Sequence, residues 1–330
     1  MDEKMATKAN IKDVASKANV SIATVSRFLN GKTERMSKET ASKVQNVIKE
    51  LNYVPNDAAR QMITKKSRMI ATIVSDVDDY FATEMFKGIS SILDAQGYTA
   101  VLFDSDSNKA KEQGVLRIIG EKSFDGLIMQ PILRKEADLR DAVRRDMPII
   151  IVDRELSDSS LANVVTNNFE ISQQVTRYYL NQGFDQVIII TGEVTGISTR
   201  EERYNGIKSV SSDTMLIEVI DGDTKLNQTY AELKNRLIRD DKRTLVFALK
   251  ERWLLYLLPK IIADGFMVNQ RVAVTGFSDT EVIKAINSGT SLINQNPFLL
   301  GASAAELLLN ELNGETNIKN KKIIIPAEFK

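Results

Sequence analysis

The sequence predicts an α/β protein: a small all-α headpiece followed by a two-subdomain body built on parallel sheets. Three observations predict it. Residues 10–30, NIKDVASKANVSIATVSRFLN, hold two short amphipathic helices broken by a turn. From Met69 apolar strands alternate with amphipathic helices, the rhythm of a parallel sheet covered on both faces. That rhythm restarts at Val164, so the body reads as two similar halves.

Residues 1–9 read as a loose polar arm. Asn10 caps a first helix, Asp13 offsets its positive end, and Val14, Ala15 and Ala18 form its narrow apolar face. Asn19 tolerates a left-handed turn, which ends that helix. Ser21 caps the second helix, which turns Val25, Phe28 and Leu29 inward and leaves Ile22, Ala23, Thr24, Ser26 and Arg27 outside. This is the pattern of a helix-turn-helix with a recognition helix, although any two-helix stretch can also pack inside a core. A third helix starts at Ser37, with Glu39 in its first turn and Val44, Val47, Ile48 and Leu51 on one face. Pro55 stops what precedes it, and PNDAARQMITKK is a linker too short to be a stable helix alone.

The motifs IKDVASKANVS, TVSRFLNG and LNYVPN, in this order and spacing, closely resemble the DNA-binding headpiece of the lactose/galactose repressor family. The match covers residues 10–62, and the remainder resembles the family's periplasmic-binding-protein-like domain more loosely. The resemblance implies a headpiece over 1–56, a hinge over 57–66 and an effector-binding and dimerisation domain over 67–330. Within the last, it implies one subdomain of about 67–163 and 296–318 and another of about 164–293 and 320–330. The chain is then expected to cross between them near residues 163, 293 and 319.

The strands of the body are read at MIATIVS, TAVLFDS, DGLIMQ and PIIIVD, then at QVIIIT, TMLIEVI, TLVFAL and RVAVTGF, with a last strand in KKIIIPAEF. Helices are read over 82–96, from 108, near 135–145, and over 169–182, 200–210, 226–239 and 252–264.

Charge follows the same division. Residues 1–66 carry thirteen Lys/Arg against seven Asp/Glu, and the remaining residues 31 against 37, so a basic end sits on an acidic body. That is the electrostatic footprint of a nucleic-acid partner confined to one end. The chain has neither Cys nor His, which excludes disulfides, thiolate chemistry, Cys/His zinc sites and histidine bases. No apolar run reaches membrane-spanning length, and MDEKMATKAN lacks the apolar core of a secretory signal. A cytoplasmic, nucleoid-associated regulator is therefore expected over an exported receptor. There is no Walker A sequence and no G-x-G-x-x-G after a strand, so a non-enzyme without cofactor is expected. A sugar kinase with an appended helix-turn-helix is the enzymatic rival, and phosphoryl transfer from nucleotide would discriminate it.

The resemblance also implies sites, residue by residue. On double-stranded operator DNA, Ile22 and Ala23 are expected to meet thymine methyls and Arg27 a guanine, with Lys12 near the groove. Ser21, Thr24, Ser26 and Asn30 are expected as phosphate contacts or caps. In the hinge Asn56 can cap, Ala59 lines the minor-groove face, and Met62 either wedges between base pairs or is a plain linker residue. A homodimer on a near-palindrome follows.

In the cleft that the resemblance implies between the subdomains, Tyr80 and Phe81 match an aromatic position that lies against a ligand, with core packing the alternative for Phe81. Asp153 and Arg154 match an acid–base pair, Asp153 taking hydroxyls or orienting Arg154. Arg203, in RYNG, matches the family's ligand-binding arginine, and Gln295 another ligand-facing position. Two departures stand out. Leu249 and Lys250 replace the common Asn-Asp, and Ser278 stands where many relatives have an acid. Trp253, one turn beyond Lys250, either stacks on a ligand or fills core. With Lys250 gained, an acid lost, and Arg203 and possibly Arg200 kept, the cleft reads as positively charged. The expected effector is therefore a small sugar acid, unless Lys250 reaches solvent or pairs with Glu251 or another acid. A neutral sugar or a phosphosugar is the alternative.

Overall fold

The computed structural model describes residues 9–29, 31–34, 36–54, 66–219, 223–315 and 318–330. The chain divides into two compact units, Met1–Ser67 and Arg68–Lys330.

The first unit is built by its caps. Helix α1 (Ile11–Ala18) opens with a capping box: Asn10 Oδ1 accepts from the Lys12 and Asp13 amides, and Asp13 takes the Asn10 amide at 2.8 Å. It closes on Asn19 at φ 53°, and the Val20 amide reaches back to the Ala15 carbonyl. Ser21 starts α2 (Ile22–Leu29) by accepting from the Thr24 amide, and Ser37 does the same for Thr40 in α3 (Lys38–Glu50). Val14, Ala15, Ala18, Val25, Val44, Val47 and Tyr53 form the core, with Phe28, Leu29, Ile48 and Leu51 packed against it.

In the second unit, β1 (Met69–Val74), α4 (Tyr80–Ala95), β2 (Thr99–Asp104), α5 (Lys109–Glu121), β3 (Gly126–Met129), α6 (Glu136–Val143), β4 (Ile149–Val152) and β5 (Ala162–Thr166) build one subdomain. The other holds α7 (Asn168–Asn181), β6 (Gln186–Thr191), α8 (Ser198–Lys208), β7 (Thr214–Glu218), α9 (Asp223–Arg239), β8 (Thr244–Ala248), α10 (Glu251–Ala263), β9 (Val272–Gly276) and α11 (Val282–Ile286). The chain then runs through β10 (Ile293–Asn294), α12 (Pro297–Leu312), β11 (Lys322–Ile325) and β12 (Glu328–Phe329). A six-stranded parallel sheet, ordered β11-β5-β4-β3-β1-β2, carries a packed apolar cluster on each face. A four-stranded parallel sheet, ordered β7-β6-β8-β9, forms the second core. The strands are almost uninterrupted apolar runs, as burial on both faces requires.

The subdomain boundary differs from the expected one. Strand β5 pairs with β4 and β11 with β5, from Lys322↔Asn163 to Ile325↔Thr166, so the first sheet keeps residues 162–166 and 322–325. The crossings lie between 166 and 168, 294 and 297, and 325 and 328. A run such as KIII declares a strand, but its partner is chosen across 160 residues of chain, which local pattern does not report. Short strands β10 and β12 pair antiparallel, and the Ala327 amide donates to Asn167 Oδ1 at 2.8 Å, so the crossing segments hold one another.

Helices α4 and α12 meet through glycines. A Cβ on Gly88 would lie 2.0 Å from the Phe298 carbonyl oxygen, and one on Gly301 2.0 Å from that of Met85. Both obstacles are backbone, so the helices must separate to admit a methyl group. Gly88→Ala is expected to lose about 1–3 kcal/mol or more by overpacking, read as a lower urea midpoint.

Candidate nucleic-acid interface and ligand cleft

In the first unit, Ser21, Ile22, Ala23 and Arg27 are exposed on α2, Thr24 and Ser26 are half-buried beside them, and Lys12 is exposed on α1. Ile22 is 44% exposed, an apolar side chain left in water at the start of a helix. Ser21 is engaged as a cap, its hydroxyl 2.9 Å from that of Thr24. A concavity beside these residues is lined by Ser21, Thr24, Arg27, Lys32, Ser37 and Thr40. It brings two cations to the capped starts of α2 and α3, an arrangement suited to a phosphate. Lys32, Ser37 and Thr40 are additions to the residues singled out from sequence, and only the fold of helix three onto helix two brings them there. Asn30, Asn56, Ala59 and Met62, with hinge residues 57–65, lie outside the described residues.

In the second unit the carboxyl ends of both parallel sheets converge on one cleft, where ligands of open α/β sheets bind. Its inner cavity has a volume of about 70 Å³. Phe81, Asp153, Arg203, Lys250 and Gln295 line it, together with Arg200 and Leu249. Gln130, Arg154, Glu251 and Asp279 complete the polar wall.

Arg203 is buried. Its Nε donates to Asn168 Oδ1 and its Nη1 to the Leu249 carbonyl, both at 2.7 Å, and its guanidinium lies 3.6 Å from the Phe277 ring centre. Among the described residues nothing accepts from Nη2. Burial pushes its pKa down to about 10, against Asp153 and Asp279, so it stays cationic at neutral pH. The Gln295 side chain is 4% exposed and its Nε2 has no partner, while its backbone amide donates to Asp279 Oδ1 at 2.6 Å. Burial pushes Asp279 up to about 7, and the neighbouring Glu251 adds to this. Asp153, at φ 66°, accepts from Gln130 Nε2 at 2.7 Å. Arg154 spends Nη1 on the Pro131 carbonyl and Nη2 on Ser75 Oγ, and its Nε is left without an acceptor.

Three expectations are corrected. Tyr80 lines neither chamber of the cleft: it is the first residue of α4, 42% exposed, and burial and Glu84 raise its hydroxyl. The next residue, Phe81, turns inward instead. Ser278 is buried behind the wall, donating to Glu251 Oε1 at 2.7 Å. Beyond β9 the chain stays extended, so Phe277 and Asp279 face the cleft and Ser278 points away. Asp279, which the sequence reading did not single out, is therefore the acid of this segment that lines the cleft. Finally, Lys250 is not an unpaired charge. It meets Asp79 at 3.1 Å and Asp76 at 3.5 Å, two acids of the other subdomain. Trp253 is 3% exposed, packs into the second core, and lines an outer chamber adjoining the inner cavity.

The two subdomains are also joined by Arg134–Glu201, at 3.4 Å, and by the Glu155 amide on Ser198 Oγ. Among the described residues no group of His, Cys, Asp and Glu could hold a metal ion, and no helix is long and apolar enough to cross a membrane.

Comparison with known proteins accords with both units. The family described as "Bacterial regulatory proteins, lacI family" matches residues 10–56, and "Periplasmic binding protein domain" matches residues 70–316. The chain is 30% identical over 320 residues to the HTH-type transcriptional regulator KdgR of Bacillus subtilis (strain 168), covering 96% of this chain and 94% of that one. The crystal structure of a LacI transcriptional regulator from Lactobacillus brevis is similar with a TM-score of 0.75 and 40% identity, over 79% of this chain and 99% of that one. The lac repressor dimer bound to operator and the anti-inducer ONPF shares the fold at a TM-score of 0.83 and 20% identity, over 98% of each chain.

Proposed function

This chain belongs to the lacI family of bacterial regulatory proteins, DNA-binding transcription regulators, and from that premise we propose a cytoplasmic, homodimeric repressor of carbohydrate-catabolism genes that a small sugar acid releases from a near-palindromic operator. In this reading α2 lies in the major groove. Ile22 and Ala23 read thymine methyls and Arg27 a guanine, while Lys12, Ser21, Thr24, Ser26 and Lys32 serve groove and phosphates.

The observation that carries the acid is the buried Gln295 Nε2, without an acceptor, on the wall of the same cavity as the buried Arg203 cation, whose two protein hydrogen bonds use Nε and Nη1. A buried donor without an acceptor is costly, and a carboxylate supplies charge-assisted acceptors that a sugar hydroxyl does not. The support no longer comes from Lys250, which Asp76 and Asp79 neutralise. Asp153 and Asp279 are placed for the ligand's hydroxyls. Release of the operator needs only that the ligand bind one conformation of the body more tightly than the other. Calorimetry with glucuronate-derived acids and their neutral parent sugars tests this. The acids are expected to bind and the parents not; tight binding by a parent sugar alone would refute the acid.

The acid's affinity is also expected to depend on pH. Asp279, facing Glu251, Arg203 and Asp79, has a pKa of about 7 in the free protein. Below pH 7 it is neutral and tolerates a nearby carboxylate; above it, its charge opposes one. Affinity should fall as pH rises through 7, by at most about tenfold per unit for one linked proton. Calorimetry from pH 6 to 8 checks this, and Asp279→Asn should flatten the profile.

A further inference from the structure

The outer chamber of the cleft is much larger than the inner one, about 680 Å³ against about 70 Å³. Small-molecule sites usually span about 300–1,000 Å³, so the outer chamber is of ligand size, while the inner holds roughly five water-sized volumes. The two share a wall that includes Arg154, Arg200 and Lys250. A ligand seated on Arg203 and Gln295 can therefore extend past these cations into the larger space.

The charges there are specific. Arg200 is fixed at the shared wall: its guanidinium lies 5.7 Å from the Trp253 ring centre, and Nη1 donates to the Glu193 carbonyl at 3.0 Å. Lys109 lines the chamber from the other subdomain, is exposed, and forms no ion pair among the described residues. Arg154 adds a buried Nε that makes no hydrogen bond and faces Asp153 Oδ2 at 3.9 Å. Three acids line the chamber, Asp76, which Lys250 engages, Glu193 and Glu218, against five cations, Lys109, Arg154, Arg200, Lys250 and Arg252. Cations thus outnumber acids around a ligand-sized space and reach it from both subdomains, and an anion seated there would draw the two together.

We propose that the effector is a sugar acid with a second anionic group, which the outer chamber holds between Lys109 and Arg200. The proposal rests on the carboxylate reading of the inner cavity. A second uronate ring and a phosphate ester share this chemistry, and the test separates them. Calorimetry on the full chain would compare galactose, galacturonate, digalacturonate and 6-phosphogluconate. At least one dianion is expected to bind about tenfold more tightly than galacturonate, the gain from one charge-assisted contact. Preference for digalacturonate identifies a second uronate, and preference for 6-phosphogluconate a phosphate. Lys109→Ala should bring the ratio of dianion to galacturonate affinity close to one, with galacturonate binding by the same variant serving as its folding control. Equal affinities for mono- and dianions, or a ratio that survives in Lys109→Ala, overturn the proposal and leave the carboxylate reading intact. Galactose binding more tightly than every acid overturns the carboxylate reading and this proposal with it.

Discussion

Arg203→Leu is expected to abolish the response to effector while operator binding without effector persists. Truncating one partner of a buried, hydrogen-bonded charge pair costs about 2–5 kcal/mol, or roughly 30-fold to several thousand-fold in affinity. The loss has a local cause. The guanidinium holds Asn168 and the Leu249 carbonyl with two arms, stacks on Phe277, and leaves Nη2 for the ligand. Leucine removes the ligand's donor and strands both protein acceptors, so thermal melting must accompany the titration. Arg203→Lys separates the two effects: it keeps the charge but not the planar fork, and is expected to fold and still bind effector weakly. Full effector response in Arg203→Leu would show that the ligand lies elsewhere.

Arg27→Ala is expected to cost about 1–3 kcal/mol of operator affinity at one base position and to relax selectivity there. Arg27 is exposed on the outer face of α2 and serves no core contact, so the headpiece should melt unchanged. Lys32→Ala makes the contrast. As a phosphate contact it should weaken binding to all sequences alike and reduce the salt dependence by about one counterion. Competition between operator variants, read by gel shift at two salt concentrations, distinguishes the pair. An Arg27→Ala protein with undiminished selectivity would remove Arg27 from base reading.

The headpiece was almost wholly legible in the sequence because its determinants are local. The Asn10–Asp13 capping box, the left-handed Asn19 and the caps at Ser21 and Ser37 act within four residues of themselves. Strand and helix positions in the body were legible for the same reason, through apolar period and turn residues. What the sequence withheld is non-local. The pairing of KIII with residues 163–166 moved one strand between subdomains. Lys250 found its counter-charges at Asp76 and Asp79, some 170 residues earlier, which undid the simplest charge argument for an acidic effector. The choice between Ser278 and Asp279 depended on the register of an extended segment after β9. A one-residue change of register exchanges the side that faces the cleft for the side that does not. Arg203, three residues before the Gly206 that lets α8 approach α7, needed no such information.

The central claim is that one cleft ligand, a sugar acid, controls operator binding. Its most direct test is fluorescence anisotropy of a labelled near-palindromic operator with the full chain, titrated in parallel with a glucuronate-derived acid and its neutral parent sugar. The account predicts that the acid lowers anisotropy in the wild-type protein, leaves it unchanged in Arg203→Leu, and that the neutral sugar does neither. Release by the neutral sugar with no effect of the acid, or acid-driven release that persists in Arg203→Leu, would contradict it.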